Sequence, residues 1–163
     1  FTMNDKLKAV IKYIIDIKQV KDVTPKKLQK LLYYVQSWHL ALTAENDNDD
    51  EIISSLMFPV DFEAWVHGPV IPEVYTHFKD YRGTSIDCSG FEIDYKNFLN
   101  KDELSSIDEV IEVYGNFDGN QLETLSHNEQ PWQEARLGLE PLESSHNIIS
   151  TKTIFRFYAE RLV

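Results

Sequence analysis

The residues with chemistry to offer are five histidines, one cysteine and a corner bearing a tryptophan and a histidine. The histidines stand at positions 39, 67, 77, 127 and 146. No two share the His-x-x-x-His spacing that puts both imidazoles on one helix face, and the lone Cys88 leaves no Cys-x-x-Cys pair. A composite metal site from His67, His77 and His127 with a carboxylate would depend on the fold to gather it. Cys88 lies in an irregular stretch without a nucleophile signature, so an inert thiol is expected. Asp47, Asp49 and Glu51 alternate as calcium ligands do. Ile52, however, takes the place of the turn glycine and Phe58 that of the closing glutamate, so a calcium loop is rejected. Gly68-Pro69 matches neither glycine-rich phosphate pattern. No catalytic motif, resident metal or cofactor is expected.

The corner runs from Phe62 to Tyr75. Phe62 to Val66 is rich in aromatic and β-branched residues and predicts a short strand. Gly68-Pro69 is expected to stop it, since glycine permits a sharp turn and proline cannot donate to a ladder. Pro72 suits the first turn of a helix carrying Val74, Tyr75, Phe78 and Tyr81 at helical spacing. Trp65 and His67 ride on this corner, either packed and satisfied locally or forming a site.

Elsewhere helical periodicity dominates. Leu7, Val10, Ile11, Ile14 and Ile15 make the stripe of a first helix over 5–19. Thr24-Pro25 caps and opens a second, running to about Thr43, with Leu28, Leu31, Leu32, Val35, Trp38 and Leu42 on one face and Tyr33 and Tyr34 widening it. Leu31 and Trp38 are expected to be buried. Residues 45–51 read as a solvated acidic loop, 52–58 as a strand or short helix, and 81–100 as irregular. Asn100 and Glu103 form a capping-box pattern ahead of Leu104, Ile107, Val110, Ile111 and Tyr114, with Gly115 as the stop. Asp118 caps a short helix through Leu122 and Leu125, Gln130-Pro131-Trp132 begins another turn that Gly138 ends, and Ser150 opens a last helix with Ile154, Phe155, Tyr158 and Leu162 inward. The fold class is mainly α: a compact helical domain around a central helix at about 25–43, with a small β element near 62–66, one domain over 1–163.

Composition narrows the partners. Sixteen basic against 27 acidic residues among 163 give a formal net charge of -11, which argues against broad contact with nucleic-acid phosphates. The acidic surface attracts basic partners, or simply confers solubility. No apolar run reaches the ~20 residues of a membrane span, and the charged first helix is no signal peptide. A single cysteine suits a reducing compartment, and the cytoplasm is expected. Phe1-Thr2 ahead of Met3 reads as a cloning remnant.

Three blocks carry a resemblance. They are Leu28-Gln29-Lys30-Leu31-Leu32-Tyr33-Tyr34-Val35-Gln36-Ser37-Trp38, the corner Phe62-Glu63-Ala64-Trp65-Val66-His67-Gly68-Pro69-Val70-Ile71-Pro72-Glu73-Val74-Tyr75, and Leu125-Ser126-His127 with Pro131-Trp132 and Ala135-Arg136. In this order they resemble the Panacea domain, the family of SocA-like and GepA-like phage-associated proteins. The resemblance implies a compact helical fold and an antitoxin role in bacterial toxin–antitoxin pairs, with a cognate protein toxin as partner. A SocA-like member acts as an adaptor that delivers its toxin to a protease. The chain resembles the bare domain, since no basic helix-turn-helix is legible in it.

Two functions follow. One is a binding protein that neutralises a toxin directly, with adaptor activity as a variant. The other is a hydrolase-like, metal-assisted enzyme using Trp65, His67, His127, Trp132 and Arg136. An enzyme needs these side chains in an open polar pocket, with both histidines reaching a common point. A structural role needs the rings and tips buried and paired, and this is the expectation for the block residues. Partner contact is then expected from Asp47, Asp49 and Asp50 in the acidic loop and from Tyr81, Phe91 and Tyr95 in the irregular segment, charge steering the encounter and aromatic side chains anchoring it.

Overall fold

A computed structural model describes residues 3–162. The Phe1-Thr2 remnant reading therefore lies outside the described residues. The chain folds as eight α-helices and one two-stranded sheet among those residues: α1 (Asp5–Lys12), α2 (Pro25–Thr43), α3 (Asp49–Ser55), β1 (Glu63–Trp65), β2 (Gly68–Val70), α4 (Pro72–Phe78), α5 (Lys101–Tyr114), α6 (Gly119–His127), α7 (Gln130–Ala135) and α8 (Thr151–Ala159). The fold class is mainly α, as the periodicity predicts.

Helix α2 is the axle. The Thr24 side chain accepts from the Lys27 N–H, and Pro25 occupies the first turn, where its missing donor costs little. Helices α5, α6 and α8 pack around it, with α3, α4 and β2 also in contact. Leu28, Leu31, Leu32, Tyr33, Tyr34, Val35 and Leu40 are all buried. Polar α2 residues fasten the neighbours. Gln36 donates to the Phe58 carbonyl at 2.6 Å and accepts from the Met57 N–H at 2.8 Å. Lys27 donates to the Lys21 carbonyl at 2.9 Å and to that of Gly115 at 2.6 Å, placing a cation at the negative end of α5. The expected capping box of Asn100 with Glu103 forms, and the Asp118 cap turns out to be a second box, closed by Gln121.

The structure corrects several local expectations. The first helix is α only to Lys12 and continues as one wider π turn over Tyr13–Ile17. The strand is not stopped at Gly68-Pro69. Those residues form the second strand of a hairpin, with Trp65 opposite Gly68 and Ala64 opposite Pro69. Gly68 makes the tight turn possible at a φ of 112°. The acidic stretch is only half a loop, because Asp49, Asp50 and Glu51 form the first turn of α3. Trp38 is half-buried rather than buried, its Nε1 donating to the Tyr114 hydroxyl at 2.9 Å. Leu42, Leu125 and Leu162 face solvent. Helical spacing sets direction but cannot tell how far neighbouring helices extend over each end of the stripe.

Beneath Trp38 lies an aromatic knot. Tyr33, Tyr34 and Tyr158 pack edge to face, and Tyr34 stacks on Tyr114 with centroids 4.1 Å apart. Tyr34 and Tyr158 each donate at 2.8 Å to Glu129 Oε1. Burial pushes the Glu129 carboxyl up, against the lowering effect of these two hydrogen bonds.

Candidate functional site

The three sequence blocks converge at the hairpin. Gln29 on α2 holds the hairpin's exit, donating to the Ile71 carbonyl at 3.1 Å and accepting from its N–H at 2.8 Å. Pro72 opens α4 immediately beyond. Trp132 on α7 donates from Nε1 to the Trp65 carbonyl at 2.9 Å. Arg136, buried just after α7, donates to the carbonyls of Ala64 at 2.9 Å, Glu143 at 2.6 Å and Glu140 at 3.3 Å. Its guanidinium lies 5.3 Å from the Trp132 ring centroid, and the His127 ring stacks on Trp132 with centroids 3.9 Å apart. Pro131 and Pro69 are buried in the same junction. These contacts join a helix pair to a sheet through backbone carbonyls.

The histidines do not behave alike. His67 is exposed, which corrects the expectation of a buried side chain: it sits in the two-residue hairpin turn, which projects its ring toward solvent. Its Nδ1 is 3.0 Å from Glu123 Oε2. His127 Nε2 is buried without a hydrogen-bond partner and lies 4.0 Å from the same oxygen. That separation is too long for a hydrogen bond, and burial lowers the His127 pKa, which favours the neutral ring. The two imidazoles thus share Glu123 as a common neighbour, but only His67 engages it. His77 packs against Phe78 and Phe91 instead, so the composite metal site is not assembled. Among the described residues, no group of three His, Cys, Asp or Glu is placed to hold a metal ion.

Glu123 is the residue that sequence reasoning missed. It accepts from Lys26 at 2.7 Å as well as meeting His67. Burial pushes its carboxyl up, but the hydrogen bonds from Lys26 and His67 outweigh that, and its pKa is lowered overall. The available signal was its position four residues before His127 on one helix face.

Lys30 is the other unusual group. It is fully buried, and its one hydrogen bond, to the Pro69 carbonyl, is long at 3.4 Å. A Cβ on Gly68 would stand 2.7 Å from Lys30 Cε, so glycine is needed there for room as well as for its positive φ. Burial lowers the Lys30 pKa to about 7, with Glu123 opposing and Lys26 adding to the shift. An unfolded lysine holds its proton to about 10.5. Between those values folding releases a proton, so the Lys30 contribution to stability rises with pH from about 7 to 10.5 and is least favourable below 7. Lys30→Met should remove this rise and leave the protein at least as stable at pH 7. Urea melts of both proteins at pH 6.5 and 9.5 test it, and parallel pH curves would refute it.

A cavity of about 430 Å³ opens beside this junction, between the start of α2, the hairpin, α4 and residues 144–146. Lys30, Trp65, His67 and Tyr75 line it, whereas His127, Trp132 and Arg136 do not. The enzyme constellation is therefore split by the hairpin backbone. Trp65 packs edge-on against Tyr75 at 5.0 Å and directs its Nε1 to Glu63 Oε1 at 2.9 Å.

A family model described as the SocA-like antitoxin Panacea domain matches residues 28–133, well over half of the chain. The chain belongs to the SocA-like Panacea antitoxins. No curated protein and no solved structure matches it. In this Panacea domain the family match runs from the end of the first α2 turn into α7, and Arg136 lies just past it.

The residues expected to meet a partner are placed as follows. Asp47 accepts from Arg156 Nε at 2.8 Å and Nη2 at 2.6 Å, and Asp49 lies 3.5 Å from Lys152, so both carboxylates are engaged with α8. Asp50 is exposed. Phe91 is buried, which corrects its assignment as an exposed anchor: apolar contacts with Phe78 and the His77 ring draw it under the loop. Tyr81 and Tyr95 are half-buried, Tyr81 donating to the Asp87 carbonyl and Tyr95 packed on Tyr13. Cys88 is buried, and burial pushes its thiol up to about 12, far from a reactive thiolate. No helix of the described residues is long and apolar enough to cross a membrane.

Proposed function

We propose that this protein neutralises a cognate toxin by direct protein–protein binding, as a single Panacea domain acting in the cytoplasm. Membership of the antitoxin family carries the reading. Two structural features support it. The Trp132 indole and the buried Arg136 guanidinium direct their hydrogen bonds to backbone carbonyls, which is what a structural clasp does. His127, the best candidate for a general base, is half-buried with its Nε2 enclosed, and it does not line the cavity. Delivery of the bound toxin to a protease is an additional activity compatible with such a complex. A toxin that binds RNA or nucleotides through a basic surface suits the acidic exterior, whose formal charge is -11.

Co-expression with the product of the adjoining gene tests this. Wild type should restore growth and co-purify with that product in stoichiometric amounts. His127→Gln, assayed below its melting temperature, should do the same. Protection without any complex, lost in His127→Gln, would favour the enzyme.

A further inference from the structure

We propose that the cavity beside the hairpin anchors the toxin by taking an apolar side chain flanked by carboxylates from an acidic segment of that protein. This rests on the antitoxin reading and gives it a place and a chemistry. The first observation is charge. Acidic residues outnumber basic ones 27 to 16, yet the cavity is lined by Lys26, Lys30, Lys79 and Arg82 and by no aspartate or glutamate. Two of those cations are uncommitted: Lys79 and Arg82 are exposed and, among the described residues, belong to no ion pair. Lys30 at the base has only its long hydrogen bond to Pro69. Lys26 and His67 are held by Glu123, and His146 by Glu63, so the anion-accepting capacity is at the α4 end.

The second observation is shape. Trp65, Val70, Val74 and Phe78 make apolar walls, while the rim residues Tyr75, Lys79 and Arg82 are exposed. Apolar walls with a charged, solvent-facing rim are the anatomy of an interface anchor. A small-molecule site instead closes over most of its ligand. A cavity of about 430 Å³ has room for one or two large side chains and not for a whole interface. The remaining contact must spread over the surrounding surface to reach the ~1,200–2,000 Å² of a stable complex. The third observation is that three of the six residues expected to meet a partner are engaged within the fold, since Asp47 and Asp49 pair with α8 and Phe91 is buried.

Random 12-residue peptides displayed on phage serve as the probe, selected on the wild-type protein and counter-screened on Lys79→Glu/Arg82→Glu. Both substitutions are at exposed side chains, and a thermal melt checks that the variant stays folded. Selected peptides should place an aromatic or branched aliphatic residue beside Asp or Glu. A synthetic copy should bind the variant about tenfold or more weakly, and should compete with the toxin for wild type. Peptides without acidic residues, equal affinity for the variant, or simultaneous binding of peptide and toxin would each overturn the proposal. So would indole-3-acetate binding as tightly as the peptide, which would make the cavity a small-ligand site. Failure of wild type to bind or neutralise the adjoining gene's product would instead sink the antitoxin reading, and the toxin as occupant with it, whatever the peptides showed.

Discussion

Tyr158→Ala should cost about 3–5 kcal/mol, the range for removing a large buried aromatic side chain. Tyr158 is completely buried on α8 and packs against Tyr33, Tyr34, Trp38 and Phe157. The substitution opens a hole where α8 meets the axle helix and removes one of two hydroxyls that satisfy Glu129. That carboxylate would then be half-buried with Tyr34 as its remaining donor. Tyr158→Phe keeps the packing and should cost less, about 1.5–3 kcal/mol, the range for one hydrogen bond to a charged group. Urea denaturation of the two variants measures the difference. Equal costs would show that the hydrogen bond, not the packing, holds α8 in place.

Arg136→Ala should cost about 3–4 kcal/mol, because it strands the Ala64 and Glu143 carbonyls, while that of Glu140 keeps the Glu143 N–H at 3.0 Å, and each buried acceptor left unmade costs about 1–3 kcal/mol. The bond to Ala64 is fully buried, while those to Glu140 and Glu143 are partly so, which places the sum in the lower part of the range. For a chain of this size the melting temperature should fall by about 10 °C. Arg136→Lys should recover little, since an ammonium cannot reproduce the planar fork that reaches three carbonyls at once. Amide exchange should show the loss concentrated in the hairpin and residues 140–148. Uniform loosening would mean that the clasp is not local.

Sequence reasoning at Arg136 and Trp132 reached their membership of one constellation but not what they bind. Their acceptors are carbonyls of Ala64 and Trp65, which every residue type possesses and which leave no trace in a sequence. The same reason hid the cavity. Lys26, Lys79 and Arg82 look like ordinary surface cations until the hairpin brings the start of α2 against α4. Glu123 was one carboxylate among many, and only its placement between Lys26 and His67 distinguishes it.

Local chemistry wrote the parts that need no partner. The bounds of α2 follow from Thr24, Pro25 and an unbroken apolar pattern, and both capping boxes from four-residue signals. The family was legible as well, because its three blocks retain their order and residue types. Tertiary structure alone decided which side chains those parts expose. Phe91, an expected anchor, is drawn inward by Phe78 and His77, Leu42 is left in water, and Asp47 is taken by Arg156 more than a hundred residues away. Burial and ion pairing depend on what other elements bring to the same place, and that is a property of the packed chain rather than of any stretch within it.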